Sequence, residues 1–139
     1  MIDSCLFCAH LNSLELVYDD NRAAVVLHED WAIRGHAIVI LKRHAENISE
    51  LNEEELGHFW RVYRSAELAL LEITNADRAI MLKLGIAVPH LHVHIYPVRA
   101  ALDRAAVMNI IEGRVREPRD EEFVRILERR LQAGRSRGL

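Results

Sequence analysis

A run of seven residues from His90 to Tyr96 (His-Leu-His-Val-His-Ile-Tyr) constrains the fold of this 139-residue chain more than any other feature. Successive side chains of an extended strand point to opposite faces, so the three histidines share one face and the three aliphatic residues share the other. Neighbouring histidines on such a face lie roughly 6 to 7 Å apart, which suits a phosphate group or a metal ion held among them. The pattern predicts a strand with one face in the core and one available for chemistry.

The histidine face has two interpretations. Histidine is the side chain whose ordinary pKa lies nearest neutrality, so a row of three offers a neutral nucleophile, a proton donor and a cation that faces anions. The alternative is a half-exposed polar strand face that is rich in histidine by chance. Three histidines at period two on an otherwise apolar strand favour the functional interpretation.

The composition is that of an ordinary globular protein, with 50% hydrophobic and 28% charged residues. We expect a single domain over residues 1–139, with residues 136–139 as a frayed tail. The apolar runs fall short of the roughly 18 residues of a membrane span, and the residues from Met1 to Cys5 do not resemble a secretory signal, so we expect a cytoplasmic protein without a membrane partner. A net charge of -3 argues against nucleic acid as a partner.

The only two cysteines, Cys5 and Cys8, form a Cys-x-x-Cys motif. In a reducing compartment this spacing indicates a metal clip or a redox pair, not a structural disulfide. Structural zinc takes four ligands, so histidines brought close by folding would have to complete the site. An inert pair is the other possibility.

The remaining pattern alternates between short apolar runs and helical periodicity. Asn52 and Glu55 are spaced as a capping box at the start of a long core helix. The run from Arg78 to Leu84 has apolar residues on both faces and is predicted to be a central strand. Further predicted elements are strands at residues 14–18, 23–27 and 36–41 and a C-terminal helix after Asp120. The sequence therefore predicts an α+β domain with a mainly antiparallel sheet of about five strands, a long helix on one face and a C-terminal helix.

The histidine run also matches a known signature. His-x-His-x-His followed by two apolar positions is similar to the motif of the histidine triad (HIT) hydrolases and nucleotidyltransferases. The resemblance extends from the Cys-x-x-Cys motif through Gly35-His36 and the Lys-Arg-His sequence ending at His44, and covers roughly residues 5–98. It implies a HIT-like fold and a homodimer.

The resemblance also implies a mechanism. The middle histidine, His92, would attack the α-phosphorus of a nucleotide, expected to be an adenosine nucleotide, and form a nucleotidyl-histidine intermediate. His94 would contact the phosphate oxygens, and His36 would support the triad as a hydrogen-bond partner. This mechanism requires no catalytic metal. Members of the family with an N-terminal Cys-x-x-Cys bind a structural zinc, and the corresponding ligands here are Cys5, Cys8, His44 and His90.

The expected substrate contacts depart from the family in several places. Besides His94, the resemblance implies contacts from the backbone amides around Val88, from His28 and from Arg99. His28 corresponds to an acidic residue that holds the ribose in many members, and Arg99 lies one place beyond the usual arginine. The segment from Gly85 to Pro89 has no polar side chain. Each difference removes a polar contact to the nucleotide.

Three functional hypotheses follow. The first is an enzyme that cleaves a phosphoanhydride or phosphoramidate bond next to a nucleoside monophosphate. The second is a nucleotide-binding regulatory protein on the same fold with little turnover. The third is a metalloenzyme in which His90, His92 and His94 hold a catalytic zinc.

Overall fold

The computed structural model describes residues 5–29 and 31–136, with the backbone alone at 135–136. Of the tail that we expected to fray, residues 137–139 lie outside the described residues, and Ser136 ends the last helix. No helix in the described part of the chain has both the length and the apolar character needed to cross a membrane. The elements follow in the order α1 (Leu6–His10), β1 (Leu16–Asp19), β2 (Ala23–Leu27), β3 (Ala37–Leu41), α2 (Glu53–Thr74), β4 (Arg78–Leu82), β5 (His92–Val98), α3 (Arg104–Ile111) and α4 (Glu121–Ser136).

The five strands form one antiparallel sheet in the order β1-β2-β3-β5-β4. The predicted α+β class with a five-stranded antiparallel sheet is therefore confirmed. The histidine strand β5 is internal, because His94 pairs with Ile38 of β3 on one side and with Leu82 of β4 on the other. His94 and Ile95 have ladder partners on both sides, and His92 pairs with Ile40 of β3; this pairing fixes where the side chains project.

The long helix α2 begins where local sequence predicted it. The Asn52 side chain accepts a hydrogen bond from the Glu55 amide at 2.9 Å, and the Glu55 carboxylate accepts one from the Asn52 amide at 3.1 Å. This capping box satisfies two of the amides that a helix start leaves without partners. The helix ends at Asn75, which adopts the left-handed conformation with φ of 55°.

The strand predicted over His90 to Tyr96 begins only at His92, because His90 and Leu91 belong to the connection before β5, but the two faces of the run differ as the alternation predicted. Leu91, Val93 and Ile95 are at most 1% exposed and belong to the main core under α2 and α4. His92 and His94 project to the opposite face, which packs against α1 and a smaller apolar cluster that includes Phe7. One face of the sheet therefore supplies most of the stability, and the other carries the histidines.

The prediction that the run from Arg78 to Leu84 is a central strand was wrong. Among the described strands, β4 pairs with β5 alone and lies at the edge of the sheet. Met81 on this strand is 49% exposed, whereas Ile80 and Leu82 pack against a cluster that includes Ile110 of α3. The second face of the run is apolar because α3 packs against it. This helix lies in a segment where the sequence pattern indicated no element.

Candidate functional site

Four side chains from distant parts of the chain converge beside the start of β5. Cys5 is the N-cap of α1, and Cys8 lies within that helix. His44 follows β3, and His90 precedes β5. One donor atom from each residue lies within 4.8 Å of the other three. The structure therefore brings together the four zinc ligands that the resemblance implied.

The dimensions and hydrogen bonds of this cluster fit a tetrahedral zinc ion. The Cys5 Sγ lies 3.2 Å from His90 Nδ1, and the Cys8 Sγ lies 3.3 Å from His44 Nδ1. Zinc bond lengths give an expected sulfur–nitrogen separation of about 3.6 Å. The His90 Nε2 is 2.5 Å from the Leu41 carbonyl oxygen. A carbonyl only accepts, so Nε2 carries the hydrogen and the Nδ1 lone pair faces the sulfurs.

His92 is oriented by a different carbonyl. Its Nδ1 lies 2.6 Å from the His90 carbonyl oxygen and must donate to it, so the neutral imidazole has its lone pair on Nε2. The Phe7 ring contacts the His92 ring edge to face at a centroid distance of 5.0 Å. Burial lowers the pKa of His92 below its ordinary value. The ring is therefore held in the neutral form with a free nitrogen lone pair.

His94 and His36 form a hydrogen-bonded pair beside His92. The His36 Nε2 lies 2.9 Å from His94 Nδ1. Burial, reinforced by the neighbouring histidines, lowers the pKa of His36 to about 2 and that of His94 to about 4. The His36 ring is stacked between His28 and Tyr96, at centroid distances of 4.5 and 4.2 Å. Both members of the pair are neutral near pH 7.

His92 and His94 line a cavity of about 710 Å³, within the range of small-molecule sites. Polar side chains are few: besides the two histidines, His28, Glu29, Glu15 and Arg119 are the charged or titratable residues on its wall. The rest of the wall is mostly apolar and comes from α1, the segment before β1, β2, β3 and the loop after β4; it includes Leu6, Phe7, Leu14, Val26, Leu27, Ile38, Leu84, Ile86, Ala87 and Val88.

The structure brings most of the predicted substrate contacts together, with one exception. His28, Val88 and His94 line the cavity, but Arg99 does not. Arg99 follows the far end of β5 from His92, and its Nη1 donates to the Asn75 carbonyl oxygen at 3.1 Å. The separation follows from strand geometry, because about 3.3 Å per residue places the two ends of β5 roughly 20 Å apart.

Three charged residues on the cavity wall, Glu15, Glu29 and Arg119, were missed by sequence reasoning. Glu29 directly follows His28, so the acidic residue that the resemblance led us to expect is present one position later. Arg119 lies in the segment between α3 and α4, where no local pattern indicates a site.

The histidine rings do not converge as a common metal site. The Nδ1 of His90 faces the two cysteines, and the Nδ1 of His92 is engaged by the His90 carbonyl. Among the described residues, the side chains close enough together to bind one metal ion are those of the cysteine–histidine cluster, and not the three triad histidines. This geometry does not support the hypothesis of a catalytic zinc held by His90, His92 and His94.

Comparison with known proteins decides the family. The sequence profile of the HIT domain matches residues 12–101. The chain belongs to the HIT family. The match includes His36, His44 and the triad but begins after Cys5 and Cys8, so the cysteine motif is additional to the matched HIT core.

HIT relatives are similar along most of their length. An uncharacterised HIT-like protein of Saccharolobus solfataricus is 27% identical over 101 residues, covering 67% of this chain and 73% of that protein. An uncharacterised HIT-like protein of Methanocaldococcus jannaschii is 27% identical over 103 residues, covering 67% of this chain and 78% of that protein.

Solved HIT structures share the whole fold. A zinc-bound histidine triad family protein from Mycobacterium smegmatis is 25% identical, covers 99% of both chains and has a TM-score of 0.72. A hypothetical histidine triad nucleotide-binding protein from Sulfolobus tokodaii is 26% identical, covers 96% of this chain and 93% of that chain, and has a TM-score of 0.67. Family membership supports a function of the nucleotide-binding or hydrolase type, and the cluster at Cys5 and His90 is compatible with zinc.

Proposed function

We propose that this protein is a nucleotide hydrolase or transferase that works through a nucleotidyl-His92 intermediate. It would cleave a phosphoanhydride or phosphoramidate bond at the α-phosphate, and the resemblance points to adenosine as the nucleoside. One observation carries the proposal: His92 Nδ1 donates to the His90 carbonyl oxygen, so its Nε2 holds a lone pair on a ring that lines the cavity. A neutral imidazole nitrogen is a competent nucleophile.

The first chemical step is displacement at phosphorus. The Nε2 lone pair of His92 forms a bond to the α-phosphorus, and the bond from phosphorus to the leaving oxygen or nitrogen breaks with its electron pair. Water or another acceptor then attacks the same phosphorus and loses a proton, and the phosphorus–nitrogen bond breaks with its electron pair returning to His92 Nε2. The proton released in this step balances the proton that the leaving group takes up from solvent in the first step. The hydrogen bond from Nδ1 to the His90 carbonyl stabilises the positive charge that the ring gains in the first step.

His94 is suited to stabilise the phosphoryl oxygens. His36 Nδ1 is buried without a partner among the described residues, and a buried N–H without a partner costs more than an acceptor without one. His36 therefore carries its hydrogen on Nε2 and donates it to His94 Nδ1. Neutral His94 then has its own hydrogen on Nε2, where it can donate to the oxygens on which negative charge develops.

The cavity wall supports binding of a nucleoside. Its apolar surface suits the faces of a base, and the Glu29 carboxylate together with His28 offers hydrogen-bond partners for ribose hydroxyls. The backbone around Val88 lies on the same wall and is the proposed source of amide donors for the phosphate. We do not include Arg99, because its guanidinium contacts Asn75 away from the cavity.

Cys5, Cys8, His44 and His90 would hold a structural zinc ion. A zinc ion held by these residues would join the start of α1 to the end of β3 and the start of β5, and the proposed reaction would not require it. The buried rings of His90 and His92 are linked through the His90 carbonyl, so the cluster also helps to place the nucleophile.

We further propose a homodimer that forms along the free edge of β4. An edge strand presents unpaired backbone groups, and this edge continues into exposed apolar side chains at Met81, Leu84 and Ile86. Light scattering of the wild-type protein should give the mass of two chains, and Met81→Lys should give one. Leu68→Lys, at an exposed position on α2, should leave the mass unchanged.

The proposed function is tested by trapping the intermediate. The protein is mixed briefly with adenosine 5′-phosphoramidate or a diadenosine polyphosphate, quenched and analysed by intact-mass and peptide mass spectrometry. We expect an AMP-sized adduct on His92 together with released AMP, and the same adduct in His10→Ala, which changes an exposed histidine of α1. Nucleotide binding with neither adduct nor AMP would favour the regulatory protein instead.

A further inference from the structure

The cavity wall also carries a charged pair, Glu15 and Arg119, that the proposed reaction does not use. The Arg119 Nη2 lies 2.6 Å from the Glu15 carboxylate, and both residues line the cavity. The Arg119 side chain is 19% exposed, and its Nε is buried without a hydrogen-bond partner among the described residues. The Nε also lies 3.8 Å from the Glu121 carboxylate, beyond hydrogen-bond distance, so the guanidinium has donor capacity left over after its contact with Glu15.

Two neighbouring contacts hold this arginine in place. The Glu117 amide donates to the Trp31 carbonyl oxygen at 2.7 Å, which attaches the segment before α4 to the connection between β2 and β3. The Asp120 carboxylate then accepts the amides of Glu122 and Phe123 at the start of α4. Arg119 lies between these two anchors, so the backbone on either side of it is held in place.

The sheet register gives the backbone distance between His94 and Leu16, the neighbour of Glu15. His94 of β5 pairs with Ile38 of β3, Ile38 pairs with Val26 of β2, and Val26 pairs with Leu16 of β1, the residue after Glu15. Three strand spacings amount to about 14 Å. A nucleotide with its α-phosphate at His92 would extend its base across the apolar strands toward Glu15 and Arg119.

We propose that Glu15 and Arg119 select guanine as the base of the nucleotide substrate. Guanine presents two neighbouring donors, N1–H and the N2 amino group, which one carboxylate accepts together. Beside them it presents two neighbouring acceptors, O6 and N7, which match the two-pronged guanidinium group. Adenine places an acceptor at N1, where the carboxylate of Glu15 would repel it. No asparagine or glutamine, the usual partners of adenine, lines the cavity in the described residues.

This inference rests on the proposed function for the position of the phosphate, and it makes guanosine the preferred nucleoside, with adenosine nucleotides as weaker substrates. The test is titration calorimetry of the full chain with 5′-GMP and with 5′-AMP. We expect GMP to bind at least about tenfold more tightly, as for one bidentate base contact. Arg119→Met and Glu15→Gln should each reduce the preference severalfold. Arg114→Met, in the same segment but 70% exposed, should leave it intact.

Equal affinities for GMP and AMP in the wild-type protein, or a preference that survives both cavity variants, would overturn the inference. Absence of binding by both nucleotides would also overturn it. Thermal melts check that Arg119→Met is folded, and Glu15→Gln decides the question if it is not. A nucleotidyl adduct on His92 without base preference would refute the base selection alone, whereas GMP preference without any adduct would refute the proposed reaction alone.

Discussion

His90 and His92 lie two residues apart on the same side of one chain segment, yet the structure prepares them for different partners. His90 donates from Nε2 to the Leu41 carbonyl and directs its Nδ1 lone pair to the cysteines. His92 donates from Nδ1 to the His90 carbonyl and leaves its Nε2 lone pair free at the cavity. We propose that the same residue type serves as a metal ligand or as a nucleophile according to which ring nitrogen a backbone carbonyl engages.

The difference also separates stability from chemistry. The cluster around His90 joins the start of α1 to two strand ends, so its loss should affect folding. The His92 side chain, in contrast, lines a cavity and donates a single hydrogen bond, to the His90 carbonyl. Removal of this side chain leaves that carbonyl in place. Substitutions at the two histidines and their neighbours should therefore change different measurements.

The largest expected effect is the loss of turnover in His92→Ala. Removing the nucleophile of a covalent mechanism should lower kcat by about 10⁴-fold or more. Zinc content by atomic emission and the melting temperature should stay close to wild type, because no atom of the cysteine–histidine cluster is removed. Retained turnover in this variant would mean that His92 is not the nucleophile.

The opposite pattern is expected for Cys5→Ser. Loss of one of four ligands should lower zinc from about one per chain toward none and destabilise the fold by about 3 kcal/mol, or roughly 10 °C in Tm. A chelator should bring the wild-type melt to that of the variant and should not shift the variant further. A variant that melts like wild type after its zinc is gone would show that the metal does not stabilise the fold.

A smaller effect should follow from His90→Cys, which removes the ring of His90 but keeps its backbone carbonyl. The variant keeps four zinc donors and retains the carbonyl that orients His92, but loses the hydrogen bond to Leu41. We expect bound zinc and kcat within about tenfold of wild type, the scale of losses around metal ligands. A fall in kcat as large as that of His92→Ala would show that the ring, not the carbonyl, supports the nucleophile.

The smallest effect concerns pH. The pKa of His36 is about 2 in the folded protein, below the ordinary value of 6.5, so the unfolded chain binds the proton first and stability is lost as pH falls below 6.5. His36→Phe keeps a ring between His28 and Tyr96 but cannot titrate. The free energy of unfolding, measured with denaturant, should fall between pH 6 and pH 5 less steeply in the variant than in the wild type. The difference in slope should be up to about 1.4 kcal/mol per pH unit. An unchanged slope would mean that His36 is not a source of the acid sensitivity.

Predictions based on local pattern were the more successful ones. The capping box at Asn52 and the alternation along β5 depend on residues a few positions apart, whose geometry the backbone fixes. The position of β4 was mistaken because an apolar face covered by α3 has the same sequence pattern as one buried within a sheet. Arg119 was missed because its place in the cavity depends on contacts with Trp31 and Glu15, far away along the chain.

By itself, the sequence determined that His92 and His94 share one side of a strand and that Cys5 and Cys8 are spaced so that both can bind one metal ion, because strand and turn spacing fix both. Only the tertiary structure decided which histidine joins the cysteines and which faces the cavity. Cys5 and His90 are 85 positions apart, and the carbonyls that orient the two rings are positioned by the packing of β3 against β5. Local spacing limits where a side chain points, but its hydrogen-bond partner depends on which strands pack together.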